Sequence, residues 1–142
     1  MEVLVERVIP VPPERVAGYA MDWRHDAEWT QGIHSAELSA EADGGGFGIG
    51  AEVTRTTYFL GRRIDYVFRV VAHEPPRRLE LKAIAGPFPM RIVYRFDEHP
   101  DGTLASIHVR GNGYFPISSP VLRIMVRFNL RRGLRDLARN LG

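Results

Sequence analysis

Apolar residues change their spacing twice along the chain, and the changes divide it into elements. Residues 2–9 alternate loosely (Val3, Val5, then Val8 and Ile9) and predict a strand that Pro10 stops. Pro12, Pro13 and Glu14 open a helix, because proline fits the first turn and an acid there meets the positive end of the helix dipole. Val16, Ala20 and Trp23 give that helix a buried side, and a second short helical piece follows from His25 to Trp29. From Gly32 to Phe115 the spacing becomes two, predicting strands over 33–40, 51–60, 63–73, 78–85, 90–97 and 103–114. Gly44-Gly45-Gly46, Gly61-Arg62, Pro75-Pro76, Gly86-Pro87 and Pro100-Asp101-Gly102 break them. Connections this short require antiparallel hairpins. Over 63–73, Ile64, Tyr66, Phe68 and Val70 share one face while Asp65 and Arg69 share the other, so one side of the sheet is buried and the other wet.

Spacing returns to that of a helix at the end of the chain. Ser119-Pro120 supplies an N-cap and a proline at the first helical position, and the helix runs to about Leu141, roughly 33 Å. Leu122, Val126, Leu130, Leu134, Leu137 and Leu141 form one continuous stripe, with Gly133 on the same side permitting close backbone approach. Val121, Ile124, Met125 and Phe128 lie on nearly the opposite side, where Arg132, Arg135 and Arg139 continue them. This order of one strand, two short helices, six strands and a long helix predicts an α+β fold. A curved antiparallel sheet of about seven strands surrounds the last helix.

Composition narrows the classes. The chain has 142 residues, 44% hydrophobic and 25% charged, which fits one domain over 1–142 with one core. Absence of cysteine removes disulfides, thiolate catalysis and cysteine-ligated zinc. Neither a signal-like start nor a run of about 20 apolar residues occurs, so a cytoplasmic protein is expected. His25, His34, His73, His99 and His108 show no metal-ligand spacing, and neither a metal nor a cofactor is expected. His25, Asp26 and Glu28 read as a surface cluster or as ordinary helix-start solvation. Gly46-x-Gly48-x-x-Ala51 superficially matches a dinucleotide fingerprint, but a strand follows it where a helix is needed. It reads as a hairpin loop or a lid over a cavity mouth. Ser118-Ser119 reads as a cap rather than a nucleophile. Nucleic acid is not an expected partner, since aromatic and basic residues are not interleaved on an exposed strand face.

Several segments together carry a resemblance. Val11-Pro12-Pro13-Glu14-Arg15-Val16, Asp22 through Trp29, Gly50-Ala51-Glu52-Val53, Gly61-Arg62-Arg63-Ile64 and Glu74-Pro75-Pro76-Arg77-Arg78-Leu79 come first; Gly86-Pro87-Phe88, Asp101-Gly102-Thr103 and the arginine-rich helix complete the set. In this order the chain resembles the helix-grip fold of the START-like (SRPBCC) superfamily, in its polyketide cyclase/dehydrase-like branch. The resemblance implies a cavity between sheet and final helix for a polyketide, lipid or aromatic molecule. It leaves open a cofactor-free cyclase/dehydratase, a non-enzymatic lipid or isoprenoid carrier from another class, and an interaction domain whose cavity is filled by side chains.

A cavity of that kind needs an apolar lining with a few orienting polar groups. Strand parity turns Val53, Arg55, Thr57, Tyr66, Phe68, Leu81, Ala83, Ile92, Tyr94, Ile107 and Val109 inward, and Val126 and Leu130 face them from the helix. An unpaired guanidinium in a pocket is expensive, so an inward Arg55 must meet a carboxylate, a tyrosine hydroxyl or a ligand oxygen. The alternation from Ala51 to Leu60 is ambiguous and leaves Arg55 open to the wet face, with the tyrosines as ordinary core. By the resemblance, a pocket arginine and aromatic hydroxyls hold and polarise a polyketide carbonyl during aldol closure and dehydration, and Arg55, Tyr66 and Tyr94 are their counterparts. In that role, Arg55→Ala removes ligand binding and barely changes thermal unfolding. Tyr19, Trp23 and Trp29 close the open end of the sheet, where Trp29 also reaches the ligand. The outer side of the last helix, with Val121, Ile124, Met125 and Phe128, reads as a contact with an anionic membrane surface, a second subunit or entrance loops. Its plain alternative is solvated arginines beside loop-covered residues.

Overall fold

The computed structural model describes residues 2–111 and 120–142. Strand β1 (Glu2–Ile9) buries Val3, Val5 and Ile9 and exposes Glu2 and Glu6, as period two requires, while Arg7 is exposed out of that phase. Helix α1 (Pro13–Ala20) follows with proline in its first turn and buries Val16, Ala17 and Ala20. The expected second helical piece divides in two. Asp22 caps a three-residue 3-10 turn (Trp23–His25) by accepting from the Arg24 N–H, and helix α2 (Asp26–Trp29) continues from it.

Six strands follow: β2 (Ser35–Ala40), β3 (Glu52–Phe59), β4 (Arg62–Glu74), β5 (Arg78–Ala85), β6 (Met90–His99) and β7 (Gly102–Gly111). They join β1 in a single sheet of order β1-β7-β6-β5-β4-β3-β2, with every pair antiparallel. Strand 51–60 stops one residue short of its predicted end because Leu60 (φ 52°) and Gly61 (φ 76°) both take the left-handed turn that matches hairpin twist. Register shifts at Leu38/Ala40, Val67/Phe68 and Val70/Ala72 curve the sheet. The predicted strand end 112–114 and the Ser118-Ser119 cap lie outside the described residues.

Helix α3 (Pro120–Leu141) packs along β1 and against α1 and α2. Its apolar stripe is unevenly covered. Gly133, Leu134 and Leu137 are buried, whereas Leu122, Val126, Leu130 and Leu141 are only half-buried. At Gly133 a Cβ would stand 3.3 Å from the Trp29 carbonyl oxygen, so the missing side chain sets how closely α3 approaches α2. The C-terminal half of α3 is therefore seated firmly, and the N-terminal half less so.

Candidate functional site

Parity places the inward residues as expected. Cross-strand pairs Val53↔Phe68, Arg55↔Tyr66, Phe68↔Ala83, Leu81↔Ile92, Ile92↔Val109 and Tyr94↔Ile107 put them on one face of the sheet. Val53, Phe68, Leu81, Ile92, Tyr94, Ile107 and Val109 are buried there, while Tyr66 and Ala83 are half-buried. Arg55 is only 4% exposed, which decides between its two readings in favour of the interior.

The guanidinium of Arg55 has a carboxylate, a hydroxyl and a ring as neighbours. Arg55 Nε donates to Asp26 Oδ2 at 3.0 Å, and Nη1 donates to the Tyr94 hydroxyl oxygen at 3.2 Å. Its Cζ also stands 5.3 Å from the centroid of the Phe68 ring. Burial works against the charge on Arg55, but Asp26 and then Tyr94 outweigh it and hold the group protonated, its pKa raised above the ordinary value. Burial lifts the Asp26 carboxyl above the usual range, with the Arg55 charge and hydrogen bond pulling it back. Burial likewise raises the Tyr94 phenol, so its hydroxyl keeps its proton at neutral pH.

Asp26 is the residue that sequence reasoning misses. The expectation of a surface cluster with His25 and Glu28 is corrected by the structure: Asp26 is 4% exposed and reaches β3 from the first turn of α2. An acid at a helix start is ordinary, and only the need of a buried arginine for a carboxylate points to such a partner. The pair also corrects the expectation that Arg55→Ala would be structurally silent. Removing it strands a buried carboxylate.

Tyr66 stands opposite Arg55 in register but turns its hydroxyl elsewhere. Burial raises its pKa and a backbone hydrogen bond with Phe88 lowers it, while its ring stacks on Phe68 with centroids 5.7 Å apart. Gly86, at φ 129°, lies against that ring so closely that any Cβ would collide with it. Thr57 is also committed, its hydroxyl donating to the Gly32 carbonyl at 2.5 Å. Trp29 is 2% exposed and meets Tyr94 edge-on at 5.8 Å.

The spaces beside these groups are small. One of about 50 Å³ is lined by Trp29, Thr30, Tyr94, Ile107, Leu130 and Gly133. Another of about 10 Å³ lies among Asp26, Phe47, Arg55, Leu79 and Leu81, where Phe47 of the glycine-rich loop closes over the ion pair. Larger clefts, about 430 and 360 Å³, open to solvent beside α1 and contain neither Arg55 nor Tyr94. The first space borders two side chains with polar atoms, Trp29 Nε1 and Thr30 Oγ1, that are buried and have no hydrogen-bond partner among the described residues.

Solved structures with this architecture come from distant organisms. Protein TTHA0849 from Thermus thermophilus is 22% identical with a TM-score of 0.77, covering 99% of this chain and 97% of its own. A START superfamily protein from Mycobacterium smegmatis is 14% identical with a TM-score of 0.79, covering 99% and 95%. Major latex-like protein 151 from Panax ginseng is 13% identical with a TM-score of 0.74, covering 99% and 96%. At these identities the likeness speaks for the fold. No curated protein matches the sequence. The family described as polyketide cyclase / dehydrase and lipid transport matches residues 1–142, the whole length of the chain, and the protein belongs to it.

Proposed function

We propose that this chain, as one ligand-binding domain, takes up a small apolar molecule bearing an oxygen acceptor and holds it between the sheet and α3. The carrying observation is a pair of buried polar atoms without a hydrogen-bond partner among the described residues, Trp29 Nε1 and Thr30 Oγ1, on residues that border the space beside Tyr94. Trp29 Nε1 is a donor only, and burying it without an acceptor costs about 1–3 kcal/mol. A ligand carbonyl or hydroxyl would remove that cost. Arg55 donates to the Tyr94 oxygen, leaving the Tyr94 proton available for the same ligand atom. In this arrangement Tyr94 polarises a carbonyl, Arg55 supports Tyr94, and Asp26 balances the charge of Arg55. Tyr66 contributes its ring face beside Phe68. Val53, Leu81, Ala83, Ile92, Ile107, Val126 and Leu130 supply apolar lining, and Thr57 holds the edge of β3 to Gly32.

About 50 Å³ admits a water or two, whereas small-molecule sites run to roughly 300–1,000 Å³. Uptake therefore requires the N-terminal half of α3 to lift from the sheet, and the half-burial of Leu122, Val126 and Leu130 supports that opening. Polarisation of a carbonyl by Tyr94 fits an aldol-type cyclase or dehydratase, and the same grip serves simple binding. Native mass spectrometry of the purified protein, followed by titration of the released molecule into Tyr94→Phe, tests the reading. A retained oxygen-bearing molecule that binds the variant at least tenfold more weakly is expected. Equal affinity for wild type and Tyr94→Phe would overturn the assignment of Tyr94.

A further inference from the structure

No charged residue among those described lines the space beneath α3 that borders Trp29 and Tyr94. Its polar atoms come from Trp29, Thr30, Gln31, Tyr94 and Asn129, all neutral at ordinary pH, in a chain whose residues are 25% charged. Arg127, Arg131 and Arg132 neighbour Leu130 and Gly133 along α3, yet none of them lines the space. The neutral lining is therefore local and not a consequence of composition.

Charge does stand directly behind this lining, and it is already matched. Arg55 Nη1 donates to the Tyr94 oxygen at 3.2 Å, while its Nε is paired with Asp26 at 3.0 Å. Gln31 Nε2 donates to Asp136 Oδ2 at 2.7 Å, and Asp136 in turn meets Arg135 at 3.4 Å. Tyr94 and Gln31 thus each separate the space from an ion pair whose charges cancel. A carboxylate entering here would find only the neutral donors Trp29 Nε1, Thr30 Oγ1 and the Tyr94 hydroxyl. Neutral donors suffice for a carbonyl or hydroxyl oxygen, whereas a buried anion needs a counter-charge as well. Tyr94 shows the same balance in its own phenol. Burial raises its pKa and outweighs the lowering by Arg55, so a negative charge at this position is disfavoured although a guanidinium touches it.

We propose that this site selects neutral carbonyl- or hydroxyl-bearing molecules over carboxylates, and that Asp26 is the residue that sets the preference. The inference rests on the function proposed above and narrows its ligand class. Asp26 touches no ligand in this arrangement. It acts by cancelling the charge of Arg55, which a hydrogen bond to Tyr94 connects to the ligand oxygen. Without that cancellation Arg55 would serve as the counter-charge of an acid. An apolar ketone, ester or alcohol matches the donors as they stand, and an ionised fatty or aromatic acid does not.

Titration of 2-acetylnaphthalene and 2-naphthoate into the purified chain at neutral pH, followed by calorimetry, tests this. The two probes differ by a methyl group in place of a carboxylate oxygen. The ketone should bind about tenfold or more tightly than the acid, the difference expected when a buried charge goes without a partner. Asp26→Asn keeps an oxygen for Arg55 Nε and removes the negative charge. In that variant the ratio of the two affinities should move toward the acid by about tenfold or more, a change that a merely loosened fold would not produce. Equal or tighter binding of 2-naphthoate by the wild type would overturn the selectivity and leave the ligand site standing. An unmoved ratio in Asp26→Asn with the circular dichroism of the wild type would remove Asp26 from this role. Binding of neither probe by the wild type would reject the function proposed above and the inference with it.

Discussion

Asp26→Leu removes one charge from a pair in which neither side chain is more than a few per cent exposed. Arg55 cannot lose its proton, so the variant leaves a buried guanidinium with the Tyr94 oxygen as its remaining hydrogen-bond partner among the described residues. Breaking a buried pair from one side costs about 3–5 kcal/mol. A 142-residue chain unfolds with an entropy of about 0.3 kcal/mol/K, so the loss corresponds to a Tm lower by roughly 10–17 °C. Combining Asp26→Leu with Arg55→Met removes both charges at similar volume, and such exchanges are often neutral or stabilising. Urea unfolding of the wild type, both single variants and the double variant gives the coupling energy, provided the m-values agree. The double variant should recover most of the loss. An Asp26→Leu cost below about 1 kcal/mol, or single-variant costs that simply add, would refute the claim that this ion pair joins α2 to β3.

Gly86→Ala places a methyl group into the Tyr66 ring at a φ of 129°, so a loss of about 1–3 kcal/mol is expected by calorimetry, with a displaced Tyr66 resonance in NMR spectra. Gly133→Val brings a branched side chain against the Trp29 carbonyl, now 3.3 Å from an added Cβ; a cost of about 1–3 kcal/mol and a shift of tryptophan fluorescence should follow. Alkaline pH should destabilise the fold. Burial, then the Glu28 hydrogen bond, push Tyr19 up to about 12, and burial raises Tyr66 and Tyr94. Each phenol holds its proton more tightly folded than unfolded, so their contribution is complete below pH 10 and disappears as pH rises toward about 12. Tyrosine ionisation followed by absorbance should coincide with unfolding measured by circular dichroism. Ionisation of Tyr94 near pH 10 in the folded protein would contradict its burial.

Period two is enough to find every strand and most of the inward residues, because one-sided burial leaves a strong mark on a sheet, but over Ala51 to Leu60 it is ambiguous and only burial puts Arg55 inside. Turn glycines do the same for the hairpin ends. Arg55 is recognisable as a residue needing a partner, but the identity of Asp26 is not, since 29 residues separate them and no local pattern joins α2 to β3. The leucine stripe of α3 also overstates its own contact. Its spacing says which side faces inward and nothing about how far that side stands from its neighbour, which is why Leu122 and Val126 look like Leu134 in the sequence and differ in the fold. The hydroxyl commitments of Thr57 and Tyr66 are hidden for a related reason: both are made to backbone groups, which every residue has.

The sheet is open, ending in β1 on one side and β2 on the other. Borders of this kind invite uncontrolled polymerisation by strand addition. β2 is only six residues long and its ladder is interrupted between Leu38 and Ala40, so an incoming chain finds little straight backbone to zip onto. β1 presents Glu2, Glu6 and Arg7 to water and has α3 packed against it. The same irregularity that bends this sheet thus keeps its rim from serving as a template for fibrils.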